Sequence, residues 1–401
     1  MQVVDKLYPL ISTVDLGKYA KLFQRELIAA LHNQTSSLPT ILNPIHRMTP
    51  NPGFGVAVAI GGTNGYASAF RISKKGIISF LNRKPFSLPE QTTRDELFHL
   101  ISKNILKVTG GREKTFAIGI GFAYPLKPLL HHRFIDGELV SMTKGRNIEG
   151  LVGKKVGQEY HKFLIKEYGI DTTVAVANDA ICLLLGGDGV DVAGVVGTGL
   201  NFAYWERREA IAPLKLSELA GFAQAEVAIN IESADFDKIE GNLFRSLVDK
   251  TSEDRGRSLS EKEVSGAYLY QIFNAGKDKI LGSFPELSST DQLNDILTDA
   301  FIYPKAIKDD TKRQAKLFVD RIFHRSAQIV AIQLCGILMK IKKTRGIVPI
   351  VMEGGIFWQA KNYPSLVNLY VNMILPEVIP SFARLFGSSR RGIAILAKGG
   401  A

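Results

Sequence analysis

The chain has 401 residues, of which 45% are hydrophobic and 22% charged, proportions that are ordinary for a globular protein with two domains. Its formal net charge is +11, but the Lys and Arg residues are scattered and accompany no recognisable nucleic-acid motif. We therefore expect the basic surface to lie near an anionic substrate and not to bind nucleic acid.

The opening residues, Met-Gln-Val-Val-Asp-Lys, do not follow the basic and then apolar pattern of a signal peptide, so we expect none. The longest apolar stretch, 329–341, is interrupted by Gln333 and is too short to cross a bilayer. It predicts a buried helix and no membrane partner. Cys182 and Cys335 both lie in apolar runs, which indicates reduced core residues. Together these features predict a cytoplasmic protein.

A glycine-rich hairpin is the first informative element. Small and β-branched residues at 55–60 predict a strand, residues 61–65 a turn, and an alternating pattern up to Phe70 a returning strand. Glycines in such a turn let backbone N–H groups approach an oxyanion, and Thr63 and Asn64 add side-chain donors. One turn of this kind is also compatible with an ordinary glycine turn.

The next segments predict a strand at 77–80 after a turn at 74–76, then a helix, then a strand at 114–121. Thr93 and Glu96 have the spacing of a capping box, which predicts that the helix begins there. Its apolar residues recur at helical spacing, namely Leu97, Ile101, Ile105 and Val108.

The same pattern recurs in the second half of the chain. Residues 173–177 predict a strand that runs into Asn178 and Asp179 and a short helix, 180–185. Residues 192–206 again predict strand, Gly/Thr turn and strand. Two such hairpins predict a duplicated α/β unit whose turns face each other and hold a polyphosphate through backbone amides. No G-x-G-x-x-G opens a helix after a strand, which argues against a dinucleotide-binding fold.

Nine segments carry a resemblance to a known family. In chain order they are Ser36-Ser-Leu-Pro39, Ile60-Gly-Gly-Thr-Asn64, Gly121-Phe-Ala-Tyr-Pro125, Ser141-Met-Thr-Lys-Gly145, Val176-Ala-Asn-Asp179, Gly197-Thr-Gly-Leu-Asn201, Ile229-Asn-Ile-Glu232, Ser260-Glu-Lys262 and Val351-Met-Glu-Gly-Gly355. In order and spacing the chain resembles the hexokinase and glucokinase family, within the actin-like ATPase fold, from about residue 36 nearly to the end. The resemblance implies a two-lobed α/β fold around a cleft. The small lobe would be 54–178, the large lobe 1–53 with 179–390, and 391–401 a C-terminal helix on the small lobe.

The reaction that this resemblance implies is transfer of the γ-phosphoryl of ATP, bound with Mg²⁺, to the 6-hydroxyl of a hexose such as glucose. That hydroxyl is a poor nucleophile and needs a carboxylate to accept its proton. The resemblance assigns this role to Asp179 and makes Lys144 a catalytic residue that also contacts the transferring phosphoryl. From the residues alone, Asp179 also fits the N-cap of the helix at 180–185.

The binding residues are implied in the same way. The sugar would be bound by Thr143, Lys144, Asn178, Asp179, Asn201, Glu232 and Glu261. The nucleotide would be bound by Gly61, Gly62, Thr63, Asn64, Gly197, Thr198, Gly199, Gly354 and Gly355, with magnesium bridging phosphate oxygens. Glu226, Glu253 and Glu263 remain alternatives to the two sugar-binding glutamates. The seven His and two Cys form no ligand cluster, so no residue is assigned to a structural metal.

The sequence departs from the family pattern at several positions. Ala59 stands where the family has an Asp that acts on magnesium through water, Tyr66 replaces an Arg, and Ala123 replaces a Ser that helps to bind sugar. The Asp-Gly-Ser near the adenosine is Glu353-Gly354-Gly355. These changes motivate an alternative function, a catalytically weak or inactive sugar sensor or regulatory protein on the same scaffold.

Overall fold

Strands and helices alternate through most of the protein. The structure is a computed structural model that describes residues 2–62, 64–111, 116–131, 134–142, 147–219, 221–384 and 387–399. The strands are β1 Ile41–Asn43, β2 Gly53–Ile60, β3 Asn64–Ile72, β4 Ile78–Ser87, β5 Gln91–Thr93, β6 Ala117–Phe122, β7 Leu126–His131, β8 Phe134–Leu139, β9 Asn147–Glu149, β10 Val174–Asn178, β11 Val192–Val196, β12 Leu200–Arg207, β13 Glu226–Asn230, β14 Gly346–Glu353 and β15 Val378–Ala383. The helices are α1 Gln2–Leu7, α2 Thr13–Leu31, α3 Arg94–Thr109, α4 Val156–Tyr168, α5 Asp179–Gly186, α6 Pro213–Leu216, α7 Leu243–Thr251, α8 Leu269–Leu281, α9 Asp291–Leu297, α10 Asp309–Lys340, α11 Gly355–Gln359, α12 Tyr363–Ile374 and α13 Ser388–Lys398.

Two sheets repeat one strand order. The five-stranded sheet has the order β4-β3-β2-β6-β10, and the six-stranded sheet has the order β13-β12-β11-β14-β15 with β1 added beside β13. In the first sheet β3 and β4 are antiparallel while β6 and β10 are parallel. In the second, β12 and β13 are antiparallel while β14 and β15 are parallel. The shared order confirms the duplicated α/β unit that the two hairpins predicted.

The five-stranded sheet is covered on both faces. Val56 and Val58 of β2 pack into a core with Phe98 of α3. On the other face α13 lies against β6, where Gly121 leaves room because a Cβ there would come within 2.8 Å of the Ile393 side chain. Burial of both faces explains why β2, β6 and β10 are nearly all apolar and do not alternate.

The capping box at the start of α3 is confirmed, with Thr93 and Glu96 satisfying each other's backbone N–H groups. The third strand was predicted too short. It runs from Ile78 to Ser87, well beyond 80, as the exposed edge of its sheet. Its polar segment and Pro85 obscured the strand pattern, and an edge strand tolerates both. The last helix was also misplaced, since α13 begins at Ser388 and not at 391.

The longest helix, α10, contains the apolar stretch that predicted a buried helix, and this prediction is confirmed. Among the described residues α10 is the one helix long and apolar enough to cross a membrane, but 89% of its most apolar window is buried within the protein. Gln328 in this helix bonds both the N–H and the carbonyl of Ile11. Cys182 and Cys335 are buried and form no disulfide, and burial raises the pKa of the Cys335 thiol.

The chain forms two compact units. The first unit comprises Met1–Thr40, Gly194–Phe202 and Ile231–Ala383, and the second comprises Ile41–Ala193, Ala203–Asn230 and Arg384–Ala401. The lobes expected from the sequence, 54–178 against 1–53 with 179–390, are bounded differently and stay a prediction.

Candidate active site

In the first unit, the turn between β11 and β12 is bound by segments from elsewhere in the chain. The N–H of Gly197 donates to the carbonyl of Gly199 at 2.9 Å and closes the turn. The N–H of Leu200 donates to Oε1 of Glu261 at 2.9 Å, and the carbonyl of Gly197 accepts from the N–H of Gly266 at 2.7 Å. These contacts tie the turn to the segment 261–266.

Gly354 packs its backbone against the same turn. Its φ of +117° lies in a region that side chains avoid, and a Cβ on it would collide with the carbonyl of Val196. A Cβ on Gly197 would in turn lie 3.0 Å from the Cα of Gly354. Only glycine allows these two backbones to approach, which explains both residue types. Gly355 begins α11 and is exposed.

Beside the turn, the side chain of Asn201 binds the backbone of the residue that follows Glu232. Oδ1 of Asn201 accepts from the N–H of Phe202 at 2.8 Å and from the N–H of Ser233 at 3.3 Å. Glu232 has φ 54° and ψ 53°, the left-handed conformation that costs a non-glycine residue about 1–3 kcal/mol. This strained residue is half-buried next to the Asn201 contact. Strain of this kind concentrates at functional sites, which supports Glu232 as a binding residue.

The surroundings of the candidate glutamates differ. Glu263 is fully buried and accepts from Nε of Arg325 at 2.7 Å, so its carboxylate serves the core of the first unit. Glu226 pairs with Arg47 at 3.1 Å. Among these acids the local geometry therefore favours Glu261 as the sugar-binding residue, and its role stays a prediction.

The pKa of a tyrosine near Glu261 depends on the carboxylates around it. Burial raises the pKa of Tyr268, and the carboxylates of Asp254 and Glu261 raise it further. The phenol therefore stays protonated at neutral pH. The 3-10 turn that contains Glu261 is fixed by Lys262, which is fully buried and donates to Asp249 at 2.6 Å.

In the second unit, three parallel strands end at one edge of the sheet. The last residue of β2, Ile60, pairs with Phe122 of β6, and Phe122 pairs with Asn178 of β10. The first glycine turn follows Ile60, and Asp179 follows Asn178. Since neighbouring strands lie about 5 Å apart, these two segments begin about 10 Å from each other at the carboxyl edge of the sheet. In sheets of this type ligands bind at that edge.

Asp179 is the first residue of α5 and does not cap it. The N-cap is Asn178, whose Oδ1 accepts from the N–H of Ala180 at 2.9 Å, although Oδ1 of Asp179 lies at the same distance from that N–H. The N-cap interpretation of Asp179 is therefore wrong, because the preceding residue performs that task. Asp179 is half-buried at the helix start, where the backbone N–H groups favour a negative charge.

The first glycine turn is held mainly by its own hairpin. The N–H of Gly61 donates to the carbonyl of Asn64 at 3.0 Å, and a Cβ on Gly61 would lie 2.8 Å from that oxygen. Asn64 is exposed, and Gly62 is half-buried. Thr63, Thr143 and Lys144, for which the sequence predicts roles, lie outside the described residues.

The structure thus gathers the predicted residues in two groups, one in each unit. The group in the first unit consists of Gly197, Thr198, Gly199, Asn201, Glu232, Glu261, Gly354 and Gly355. The group in the second unit consists of Gly61, Gly62, Asn64, Asn178 and Asp179. Gly266 was missed by sequence reasoning. Its position five residues after Glu261, in a Ser-Gly pair, was the available signal.

These residues fit a polyphosphate and magnesium. A Cβ on Gly61 would meet the carbonyl of Asn64, and a Cβ on Gly197 would meet the Cα of Gly354, so both turns need glycine to adopt their shape. Turns of this kind present backbone N–H groups that bind anions. Magnesium is usually bound through one or two carboxylates together with substrate phosphates. Asp179 offers such a carboxylate at the same sheet edge as the first turn. Within the described part of the chain no three His, Cys, Asp or Glu side chains cluster as an all-protein metal site.

Comparison with known proteins agrees with this geometry. A family model described as Hexokinase matches residues 9–188, and a second described as Hexokinase matches 191–275 and 280–397. Rat (Rattus norvegicus) hexokinase-3 is 25% identical over 93% of this chain, and potato (Solanum tuberosum) hexokinase-2 is 26% identical over 90%. The alignments cover 44% of the rat protein and 83% of the potato protein, so the chain spans less than half of the rat relative.

The fold has a counterpart among solved structures. Hexokinase from Schistosoma mansoni, complexed with glucose, superposes with a TM-score of 0.83 at 23% identity and covers 99% of both chains. This likeness confirms the predicted α/β hexokinase-type fold of the actin-like ATPases. With both family models matched in order along nearly the whole sequence, the chain belongs to the hexokinase family.

Proposed function

We propose that this protein is a hexokinase that transfers the γ-phosphoryl of Mg-ATP to the 6-hydroxyl of a hexose such as glucose. The observation that carries the proposal is Asp179, a half-buried carboxylate at the end of β10, two strands from the first glycine turn on one sheet edge. Family membership supports the reaction class. The proposed setting is the cytoplasm.

In this mechanism Asp179 accepts the proton of the sugar 6-hydroxyl as the new bond to phosphorus forms. General-base help of this kind contributes about 10²- to 10⁴-fold in rate. The neighbouring Asn178 keeps α5 capped, so the Asp179 carboxylate does not have to serve as the cap. Lys144 would donate to the transferring phosphoryl.

The sugar is recognised by polar side chains that form hydrogen bonds with its hydroxyl groups. A wrong ligand is rejected because it leaves buried polar atoms of the site without a partner. Glu232 and Glu261 accept hydrogen bonds from sugar hydroxyls, and Asn201 orients the segment that carries Glu232. Glu261 also binds the N–H of Leu200, so it links sugar recognition to the second glycine turn. The proposed set is completed by Thr143, Lys144 and Asn178.

Phosphate recognition falls to the two turns. Backbone N–H groups and side chains of these turns donate to phosphate oxygens, and the residues concerned are Gly61, Gly62, Thr63, Asn64, Gly197, Thr198 and Gly199. Gly354 and Gly355 border the nucleotide. Magnesium would be held by phosphate oxygens together with the Asp179 carboxylate, and it would supply positive charge that stabilises the transferring phosphoryl.

The test is a coupled assay for hexose 6-phosphate with the full chain, run against several hexoses and nucleotides with magnesium. Asp179→Ala serves as the inactive control. Formation of hexose 6-phosphate by the parent chain and its loss in the variant support the proposal. A folded protein that produces none with any hexose and Mg-ATP contradicts it.

One observation favours the second candidate, a weak or inactive sugar sensor. Ala59 is half-buried on β2, in register with Tyr66 and Gly121, and brings no carboxylate to the first turn. Calorimetry separates the two functions. Sugar binding without turnover, or ATP binding that is independent of magnesium, favours the sensor.

The variant Ala59→Asp tests whether the missing carboxylate limits activity. Groups that orient a metal site are worth about ten- to a hundredfold in affinity or activity, so turnover should rise by that factor at limiting magnesium. Ala59→Asn is the matched control, since it adds nearly the same volume without charge. Equal activity of the Asp and Asn variants would show that metal anchoring is not the defect.

A further inference from the structure

A small pocket lies beside the first glycine turn, between β3 and β4. Its volume is about 260 Å³, and its lining includes Asn64, Gly65, Tyr66, Arg83, Phe86 and Ser87. Two of these residues, Asn64 and Gly65, belong to the turn itself. The pocket is therefore continuous with the segment to which phosphate binding is assigned.

Two guanidinium groups border this region. Arg83 of β4 stacks 4.6 Å from the centre of the Tyr66 ring, and Arg390 of α13 stacks 3.9 Å from the centre of the Phe80 ring. The hydroxyl of Tyr66 lies 3.3 Å from Oγ of Ser389, which joins the start of α13 to β3. The aromatic rings hold the planes of both cations without neutralising them.

Among the described residues, no carboxylate pairs with the two guanidinium groups. Within the described residues neither Arg83 nor Arg390 forms an ion pair, whereas Arg47, Arg94 and Arg325 each pair with a carboxylate. Nε of Arg390 is buried and has no hydrogen-bond partner there. Burial lowers the pKa of Arg390, and the charge of Arg83 adds to that effect.

Gly387, the residue before α13, leaves room for the Arg390 side chain. Gly387 has φ +76°, and a Cβ on it would lie 3.0 Å from both Nε and Nη2 of Arg390. A side chain at this position would push the guanidinium away. Within the described part of the chain, Arg390 thus lies near a second cation and its Nε has no hydrogen-bond partner, an arrangement that an anion beside the guanidinium groups stabilises.

We propose that the pocket lined by Tyr66 and Arg83, with Arg390 beside it, binds a phosphoryl group next to the first glycine turn. The planar fork of a guanidinium matches two oxygens of a phosphate, and Arg83, which is exposed and lines the pocket, offers such a fork. The phosphoryl group has two possible sources, a nucleotide on the turn or a separate phosphorylated ligand. The first source rests on the proposed kinase function, and the second does not.

The experiment is a calorimetric titration of the full chain with inorganic phosphate. The parent chain should bind in the millimolar range, and Arg83→Gln and Arg390→Gln should each weaken binding about tenfold or more, because each removes a charged hydrogen-bond donor. Lys84→Gln is the matched control. It removes the same charge one residue along β4, on the opposite face of the strand.

No detectable phosphate binding, or the same loss of binding in Lys84→Gln as in the two Arg variants, overturns the pocket. Unchanged binding in the Arg variants overturns it as well. Displacement of phosphate by ATP identifies the nucleotide as the source, and simultaneous binding of both identifies a separate phosphorylated ligand. These readouts need no turnover, so a failure of the kinase proposal is recognised separately in the coupled assay.

Discussion

The two glycine turns have similar sequences but different surroundings. The turn after β11 is bound from three directions, by the carboxylate of Glu261, the N–H of Gly266 and the backbone of Gly354. The turn after β2 is closed by a hydrogen bond within its own hairpin, between Gly61 and Asn64. The adjoining pocket places aromatic and basic side chains of β3 and β4 beside it.

This difference indicates distinct roles within a duplicated unit. The second turn is braced by a residue assigned to sugar recognition, so it is suited to fix a ligand in one position. The first turn shares its sheet edge with Asp179 and borders the pocket lined by Arg83. Under the proposed function it would receive the phosphate whose transfer Asp179 would assist. Variants of the two turns should therefore affect different quantities.

The largest effect is expected on the side of the first turn. Asp179→Asn removes the proton acceptor and keeps the shape of the side chain, so kcat should fall about 10²- to 10⁴-fold. Because Asn178 caps α5, the fold should be retained. Asn keeps an oxygen at position 179 that can accept from a sugar hydroxyl, so sugar affinity should fall much less than kcat. Steady-state kinetics and calorimetry with sugar measure the two quantities.

Asp171→Asn is the control for this prediction. Asp171 is exposed and contacts His161 at 2.9 Å on the surface of the same unit, so its variant should keep the parent rate. If Asp179→Asn retained full turnover, the first turn would lose its assigned part in the chemistry and the comparison between the turns would fail.

A smaller effect, on binding, is expected on the side of the second turn. Glu261→Gln removes a charged acceptor while leaving an oxygen for the N–H of Leu200. A hydrogen bond to a charged group contributes about 1.5–3 kcal/mol, so KM for the sugar should rise about ten- to a hundredfold with a modest change in kcat. Initial rates measured over a range of sugar concentrations give both constants.

The control for Glu261→Gln is Glu286→Gln, which makes the same chemical change in the same unit. Glu286 is exposed and has no assigned role, so the variant should keep the parent KM for the sugar. An unchanged KM in Glu261→Gln, or an equal rise in both variants, would contradict the binding role of the second turn.

Local patterns predicted much of the fold. The hairpin around Gly61, the capping box at Thr93 and the short helix that follows Asn178 depend on residues close in sequence, and all three are found. The length of β4 was missed because its outer residues are polar, as suits a sheet edge. The cap of α5 was placed one residue too late, since Asn and Asp are both good caps and stand side by side.

The rest of the candidate site depends on contacts between distant residues. Leu200 and Glu261 are 61 positions apart, and no local pattern indicates that a backbone N–H of one binds the carboxylate of the other. The approach of Arg390 to β4 is of the same kind, because it follows from how α13 packs on the sheet. The resemblance to the family indicated which residues belong to the candidate site. The residues that contact them could be identified only from the structure.

The smallest expected effect is on the free energy of unfolding. It also compares the packing of the two turns most directly. Gly354→Ala forces a side chain into φ +117° and against the carbonyl of Val196, which should cost about 1–3 kcal/mol or more. In a chain of this length the midpoint of thermal unfolding should fall by about 1 °C for each kcal/mol, because the entropy of unfolding grows with the number of residues. Gly61→Ala, in the loosely held first turn, has no positive φ to strain and should lower the midpoint less.

Gly355→Ala is the matched control, because the nearest atom to a Cβ there is Oε1 of Gln359 at 3.6 Å, an ordinary contact. It should leave the midpoint, measured by scanning calorimetry, nearly unchanged. If Gly61→Ala destabilised the protein as much as Gly354→Ala, the first turn would be packed as tightly as the second. The first turn would then be no less constrained in conformation than the second. Its assigned role in receiving phosphate, which depends on that difference, would have no support.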